Sequence, residues 1–379
     1  MTTLVVAGIS ARMMAEAAAQ AGYRAVALDV FGDRDTRLAS AEWAPIGRKG
    51  GWALDADRTL QALRVVAAQA DVAGWVAGSG FEAEPVLLEQ GAGMLRLIGT
   101  PPAAVRRVRD PHSFFDFLDA AAIGHPQVSM TPPRDSRGWL AKSARGTGGW
   151  HIRRADAQPG AEPDSHDYFQ RHVAGQPMSA TFIASGSKVC VLGFNELIVR
   201  PFGTRPFVYC GAIGPVPQHA GVVAEVSRAL RLLAAEFSIC GLGSLDFMLD
   251  GETVSLLELN PRPGASMALY AHHLPHGVMA AHVRACLGAE LPSLAVAPAP
   301  ALVRGTEIVF ARRPLALDER AAASLARWPH GHDLPWSAAS FDAGDPVCSV
   351  SAEGATAGHV RTRLTERREA LLNTLETWT

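Results

Sequence analysis

The sequence predicts a mixed α/β and α+β protein: a doubly wound, Rossmann-like sheet opens the chain, and a longer region of antiparallel strands follows. Three observations carry this. Residues 3–29 read as strand, helix, strand: LVVAG, an Ala- and Met-rich stretch from Ser10 to Gln20 stopped by Gly22, and a second apolar run ending at Asp29. SATFIASG, KVCVLGFNELIV and FVYCGAIGPV then follow one another as strands with turns between them. Finally, GLGSLDFMLDGETVSLLELNPRPG (241–264) sets two apolar runs around Asp250-Gly251, which reads as a β-hairpin.

The remaining elements follow in order. Asp55 to Ala70 reads as a helix, and residues 74–82 as a strand ending in a tight turn at Gly78-Ser79-Gly80. Glu82 and Glu84 follow that turn, either as ligand groups at a strand end or as solvated acids. Residues 95–100 predict another strand, Arg106 to Ala122 a helix, and Gly221 to Glu236 a long helix under the hairpin. Ser266 to Leu287 is expected to be helical. It holds His272 and His276 one turn apart, as a metal pair or as structural residues. A Pro/Ala-rich link (292–301) leads to strands at 302–311 and 346–354 and a closing helix. The domains expected are 1–104, 105–292 and 302–379. The second divides into a small nucleotide lobe (about 105–175) and a larger metal-binding lobe (about 176–292).

Composition excludes several classes. The chain has 379 residues, 48% hydrophobic and 19% charged, which supports a large core and argues against disorder. A net charge of −2 with no basic block argues against nucleic acid as partner. Five dispersed cysteines without CxxC read as buried thiols in a reducing compartment. The opening residues lack the pattern of a signal peptide, and no run reaches about 18 apolar residues, so a cytoplasmic protein without a membrane span is expected. A homodimer through the first or last domain is left open.

Two stretches carry chemistry. On the hairpin, Glu258 and Asn260 are two apart and share a strand face, and pairing across the turn can bring Asp246 beside them. These hard oxygen ligands suit Mg²⁺, or Mn²⁺, shared with phosphates. Arg262 follows as a planar fork for phosphate. In WLAKSARGTGGWHI (139–152), Lys142 sits on a short strand as a point charge for α- and β-phosphates. Arg145-Gly146-Thr147-Gly148-Gly149 can then cradle phosphate with backbone N–H groups. A strand is expected at Trp150–Arg153. Trp150 either stacks on substrate or packs down, and His151 either carries a proton or is an ordinary loop histidine. There is no GxxxxGK[ST], so this is not a P-loop. The first turn lacks GxGxxG, which weakens a dinucleotide reading at Asp29, although Ser10 and Arg12 could hold an anion. Arg200 and Arg205 are candidates for a substrate carboxylate or phosphate, with a charged hairpin tip as the alternative.

The Lys-strand, the glycine-rich loop and the Asp…Glu-x-Asn-x-Arg hairpin, in that order, resemble the ATP-grasp superfamily. Within it they resemble carboxylate–amine ligases related to biotin carboxylase. The resemblance implies ATP and Mg²⁺ (or Mn²⁺) as cofactors, small carboxylate and amine substrates, and ligation through an acylphosphate. It also implies a mobile lid at 145–149, an adenine hinge at Gln170-Arg171-His172-Val173 working through its backbone, and a catalytic Arg262 with Lys142. The chain departs from the superfamily in two places. Pro111 stands where a phosphate-binding Lys is common, with Arg106, Arg107 or Arg109 as substitutes or as a solvated face. Pro177 replaces the acid that usually grips the ribose. GSGFE and LDF…ELNPRPGAS further resemble predicted ligases of methanogens and methylotrophs, which implies assembly of a one-carbon cofactor of tetrahydromethanopterin or methanofuran type. Bicarbonate activation and a non-catalytic ATP-binding subunit stay open as alternatives.

Overall fold

The structure, a computed structural model, describes residues 1–48, 51–157, 164–292 and 302–378. The Pro/Ala-rich link lies, except for Pro292, outside the described residues. The opening sheet is four-stranded and parallel, in the order β3-β2-β1-β4. Its strands are β1 (Thr3–Ala7), β2 (Arg24–Asp29), β3 (Glu42–Pro45) and β4 (Val72–Ala77). Helices α1 (Arg12–Gln20), α2 (Arg34–Ala39), α3 (Ala56–Ala67) and α4 (Pro85–Met94) alternate with them. The central strand β1 and its neighbour β2 are buried on both faces, as their apolar runs require, while the edge strand β3 is partly exposed. Asp55 caps α3 through Arg58 N–H, which sets its start.

The strand expected at 95–100 is not formed. Only Leu97 bridges to Trp75, through Trp75 N–H to Arg96 O and Ile98 N–H to Trp75 O. The helix expected from Arg106 to Ala122 is two helices, α5 (Pro102–Arg109) and α6 (Pro111–Ala120). The break is physical: Pro111 has no N–H to continue α5 but suits the first position of α6, and the Asp110 carboxylate caps it at His112 N–H.

A small four-stranded sheet follows, ordered β5-β8-β6-β7. It comprises β5 (Val128–Ser129), β6 (Trp139–Ser143), β7 (Arg153–Arg154) and β8 (Asp167–Arg171). Strand pairing thus begins at Arg153, not Trp150, because the preceding turn is held by the glycine-rich loop. The large sheet has eight strands, ordered β13-β12-β9-β10-β11-β14-β18-β16. These are β9 (Gln176–Ser185), β10 (Lys188–Phe202), β11 (Arg205–Gly214), β12 (Cys240–Asp250), β13 (Thr253–Asn260), β14 (Val303–Phe310), β16 (Gly331–His332) and β18 (Pro346–Gly354). Through the β11–β14 pairing, the C-terminal strands continue the same sheet that holds the hairpin. A short pair, β15 (Leu315–Leu317) with β17 (Ala339–Phe341), and helix α9 (Glu319–Leu325) lie beside it.

Helices cover the sheet. In α7 (Ala220–Phe237), Val222, Val226, Leu230, Leu233 and Phe237 recur at helical spacing. They are buried in one core with Phe182, Leu245 and Phe247 of the sheet. Each such side chain contributes about 1.5–3 kcal/mol by leaving water. α8 (Gly277–Cys286) packs between the sheet and α1, and α10 (Ala357–Thr377) covers β14 and β18. The single helix expected over 266–287 is instead a 3₁₀ turn at Ala265–Tyr270 and then α8. Pro275 and the positive φ of Gly277 (+75°) separate them. His272 therefore lies off the helix and His276 only caps it. Among the described residues, no group of three or more His, Cys, Asp or Glu is placed to hold a metal. Among them also, no helix is long and apolar enough to cross a membrane.

Candidate active site

The β12–β13 hairpin sets its polar groups by register. Asp246 is directly opposite Glu258, and Ser244 is opposite Asn260. The Asn260 amide donates to Asp246 Oδ2 at 3.3 Å and to Glu258 Oε1 at 3.4 Å. Two carboxylates thus face each other on an apolar strand pair. Burial, and then the facing Glu258, push the Asp246 carboxyl well above its usual range. Burial acts the same way on Glu258, but Arg109 and Lys142 outweigh it and hold that carboxyl ionised. A divalent cation between them would relieve this repulsion, so the donor set fits a metal of the Mg²⁺ type.

Arg109, at the end of α5, is the one of the three candidate arginines that reaches the site. Its Nη1 donates to Glu258 Oε2 at 3.2 Å, and its Nη2 to Ala144 O at 3.0 Å and Gly146 O at 2.8 Å. Its Nε is buried without a partner. Arg106 and Arg107 pair outward with Glu89 and Glu236. The proline break ends α5 at Arg109, beside the lid and the hairpin.

Lys142 is buried, donates to Gln170 Oε1 at 3.1 Å and lies over the Tyr168 ring. Gln170 Nε2 has no partner. The glycine-rich loop is docked down: Tyr209 N–H on β11 donates to Gly148 O at 2.9 Å. Gly149 has φ +78°, and a Cβ there would fall 1.9 Å from Phe207 O. Trp150 packs on Trp52 of the first lobe and on Phe202 and Phe310 of the large sheet. The alternative in which Trp150 packs down is the one realised. His151 is half-buried, with Nδ1 enclosed and unpartnered, and this desolvation pushes it down to about 4 and leaves the ring neutral. Arg145 is exposed at the loop edge.

In the hinge segment, Arg171 N–H donates to Gln127 O and His172 N–H to Gly138 O. The His172 amide is therefore engaged within the small sheet, while Val173 lines the cavity. The His172 ring stacks on Phe207 at 5.5 Å. Arg171 turns its side chain outward, to Arg137 O and the Trp139 face.

Arg262 does not point into open space. Its Nε and Nη2 donate to Glu82 Oε1 at 2.9 and 2.7 Å, and Nη2 also reaches Asn260 Oδ1. Glu82 Oε2 accepts Gly80 N–H at 2.8 Å, and Thr147 of the lid reaches Glu82 Oε1 at 3.5 Å. Burial opposes its charge, but the Arg262 guanidinium holds the Glu82 carboxyl below the ordinary range. Glu82, one of two acids left between ligand and solvent by the sequence, is thus a member of the site. Its signal was the Gly-Ser-Gly turn, which frees Gly80 (φ +101°) to meet the carboxylate.

Other expectations are corrected. Asp29 accepts from Ala11 N–H, Gly32 N–H and the Trp43 indole, so it fixes loops and is not free for a ribose. Arg12 is buried against Asp333 at 2.6 Å and is not an anion holder. Arg200 pairs with the buried Glu307, which Arg368 also holds. Ser10, Lys142, Asp246, Glu258, Asn260, Arg262 and the loop 145–149 all line one cavity of about 1330 Å³.

Residues 108–266 match the ATP-grasp domain family. No curated protein matches the sequence. Among solved structures, the chain is similar to L-amino acid ligase from Bacillus licheniformis, at 12% identity and a TM-score of 0.68 over 97% of each chain. It is similar to biotin carboxylase from Campylobacter jejuni, at 12% identity and a TM-score of 0.71, over 98% of this chain and 95% of that one. It is also similar to N5-carboxyaminoimidazole synthase from Aspergillus clavatus in complex with ADP and 5-aminoimidazole ribonucleotide. There the identity is 15% and the TM-score 0.68, over 97% of this chain and 99% of that one. The architecture is the ATP-grasp fold, and the family match falls on residues 108–266.

Proposed function

We propose that this ATP-grasp chain is an ADP-forming ligase that joins a carboxylate to an amine through an acylphosphate. The observation that carries the reading is the pair Asp246 and Glu258, facing in register beside Asn260, with Lys142, Arg109 and the glycine-rich lid around them. Asp246, Glu258 and Asn260 would hold Mg²⁺ or Mn²⁺. When bound, the ion neutralises phosphate charge as a Lewis acid. Lys142 and Arg109 place fixed positive charge where the phosphates of ATP would lie, and the lid N–H groups of 146–149 add donors. The hinge 170–173 borders the adenine end. A substrate carboxylate oxygen attacks the γ-phosphorus and ADP leaves. The amine nitrogen then attacks the acyl carbon, phosphate leaves with the carboxyl oxygen, and the nitrogen loses a proton. Arg262 steadies the transferring phosphoryl group or the acylphosphate, and the docked lid keeps water from that labile intermediate. As the finer reading, we place the bond in assembly of a one-carbon carrier of tetrahydromethanopterin or methanofuran type. The motif likeness at 78–82 and 245–266 supports that assignment.

The test is ADP and phosphate release with ATP and Mg²⁺ across pairs of carboxylic acids and amines, glutamate included. Release that requires both partners, lost by about 10²-fold or more in Glu258→Gln, is expected. Unchanged turnover in that variant would remove the metal assignment.

A further inference from the structure

The cavity is larger than one ligand needs. Small-molecule sites typically enclose about 300–1000 Å³, and this one encloses about 1330 Å³. Its floor is the large sheet. The metal hairpin is at one edge of that sheet and β14 lies five strands away. At about 4.8 Å per strand this is a span of roughly 24 Å. The far end has its own walls, supplied by the first lobe, the lid and the C-terminal strands. Six aromatic side chains line it: Phe31, Trp52, Trp150, Phe310, Trp336 and Phe341. Phe31 and Trp336 are 42% and 47% exposed although large and apolar, so they form an open rim, with Arg34 and Arg37 beside the Trp336 ring. Arg37 is the lining cation of the first-lobe side, and Arg145 lies exposed at the edge of the lid. The Arg37 guanidinium is 3.9 Å from the Trp43 ring centre and 5.0 Å from that of Trp336, and its Nε donates to Gly32 O. Asp33, which accepts from Thr36, and Asp333, paired with Arg12, present carboxyl groups on the same wall.

We infer that this far end is the binding chamber for the non-reacting body of one co-substrate, and that the body is a flat aromatic or heteroaromatic ring without a phosphate. Flat rings gain from edge and face contact with indole and phenyl groups. A phosphate or second carboxylate would need free cationic forks, whereas Arg37 is already stacked and bonded, Arg34 is drawn onto the Trp336 ring, and two carboxyl groups stand beside them. The use of the bound molecule in a reaction rests on the ligase reading, but its binding does not.

The experiment therefore has two arms. In the first, full-length protein loaded with a non-hydrolysable ATP analogue is titrated with benzoate, benzylamine, acetate, ethylamine and a phosphorylated amine, and binding is followed by ligand-observed NMR. The aromatic probes are expected to bind about tenfold more tightly than the aliphatic ones. Trp336→Ala and Phe31→Ala, at exposed rim positions where truncation leaves the core intact, should each erase that preference while the analogue still binds. In the second arm, ADP release is measured with aromatic, aliphatic and phosphorylated versions of one co-substrate. Equal or better binding of aliphatic or phosphorylated probes, or a preference untouched by both variants, overturns the inference. Aromatic binding that needs Phe31 and Trp336, without ADP release from any pair, sustains the chamber and removes the ligase reading instead.

Discussion

At the scale of single residues, Glu82 has the most to do. One of its oxygens accepts from Arg262 and lies near Thr147, while the other is fixed by Gly80 N–H. It aims a guanidinium from a buried place behind Arg262, so it is a positioning residue. Glu82→Gln keeps the shape and removes the charge. Turnover should fall about 10- to 100-fold, with the KM for ATP little changed. A steady-state titration of ATP separates these, and a rise in KM alone would mean that Glu82 serves nucleotide binding. His151 gives a pH signature. Its folded value of about 4 lies below the ordinary histidine value of about 6.5. Between these values the unfolded chain takes up a proton and the folded one does not. Stability from His151 is therefore full above pH ~6.5 and is lost as pH falls toward ~4. Thermal unfolding across that range should show a shallower acid-side decline in His151→Gln than in the parent chain; parallel curves would mean a solvated ring.

At the scale of elements, the lid and the hairpin show what a sequence reveals. The hairpin was legible because strand alternation has period two: Glu258 and Asn260 had to share a face, and the Asp250-Gly251 turn brought Asp246 near them, while a bulge at Leu257 that no sequence signal marks sets it directly opposite Glu258. Arg109 was one of three equivalent arginines in the sequence. Only the turn forced by Asp110-Pro111 aims it at Glu258 and leaves Arg106 and Arg107 on the surface. Glu82 and Arg262 are 180 residues apart, and no local periodicity links them. The helix expected over 266–287 failed where Leu-Pro-His-Gly interrupts an otherwise apolar run, a local stop that the periodic signal masked. The lid carries a direct prediction. Gly149→Ala places a Cβ against Phe207 O in a left-handed backbone, so the lid cannot seat. ADP release should fall about 10²-fold, with little change in melting temperature because the loop adds little to the core. Normal activity would show that seating against β11 is dispensable.

At the scale of the whole molecule, the first lobe and the C-terminal strands meet through a buried ion pair, Arg12 with Asp333, supported by Arg34 N–H to Leu334 O. Removing one partner strands a charge. Arg12→Ala should cost about 3–5 kcal/mol, visible in thermal unfolding. The uncharged exchange Arg12→Met with Asp333→Asn, which keeps a side chain suited to the left-handed backbone at 333 (φ +54°), should recover much of it, and a single variant as stable as the parent would show that the junction is held by packing alone. The junction matters because the walls of the cavity come from three separated parts of the chain that meet over one sheet. Trp150 stands where all three converge, 5.6 Å from Trp52 and 5.9 Å from Phe310. Lifting the lid would carry that indole out of an aromatic nest into water. Any such opening would be written into the emission of that indole, one of eight in the chain, and comparison with Trp150→Phe would isolate its share, a built-in lamp that needs no label.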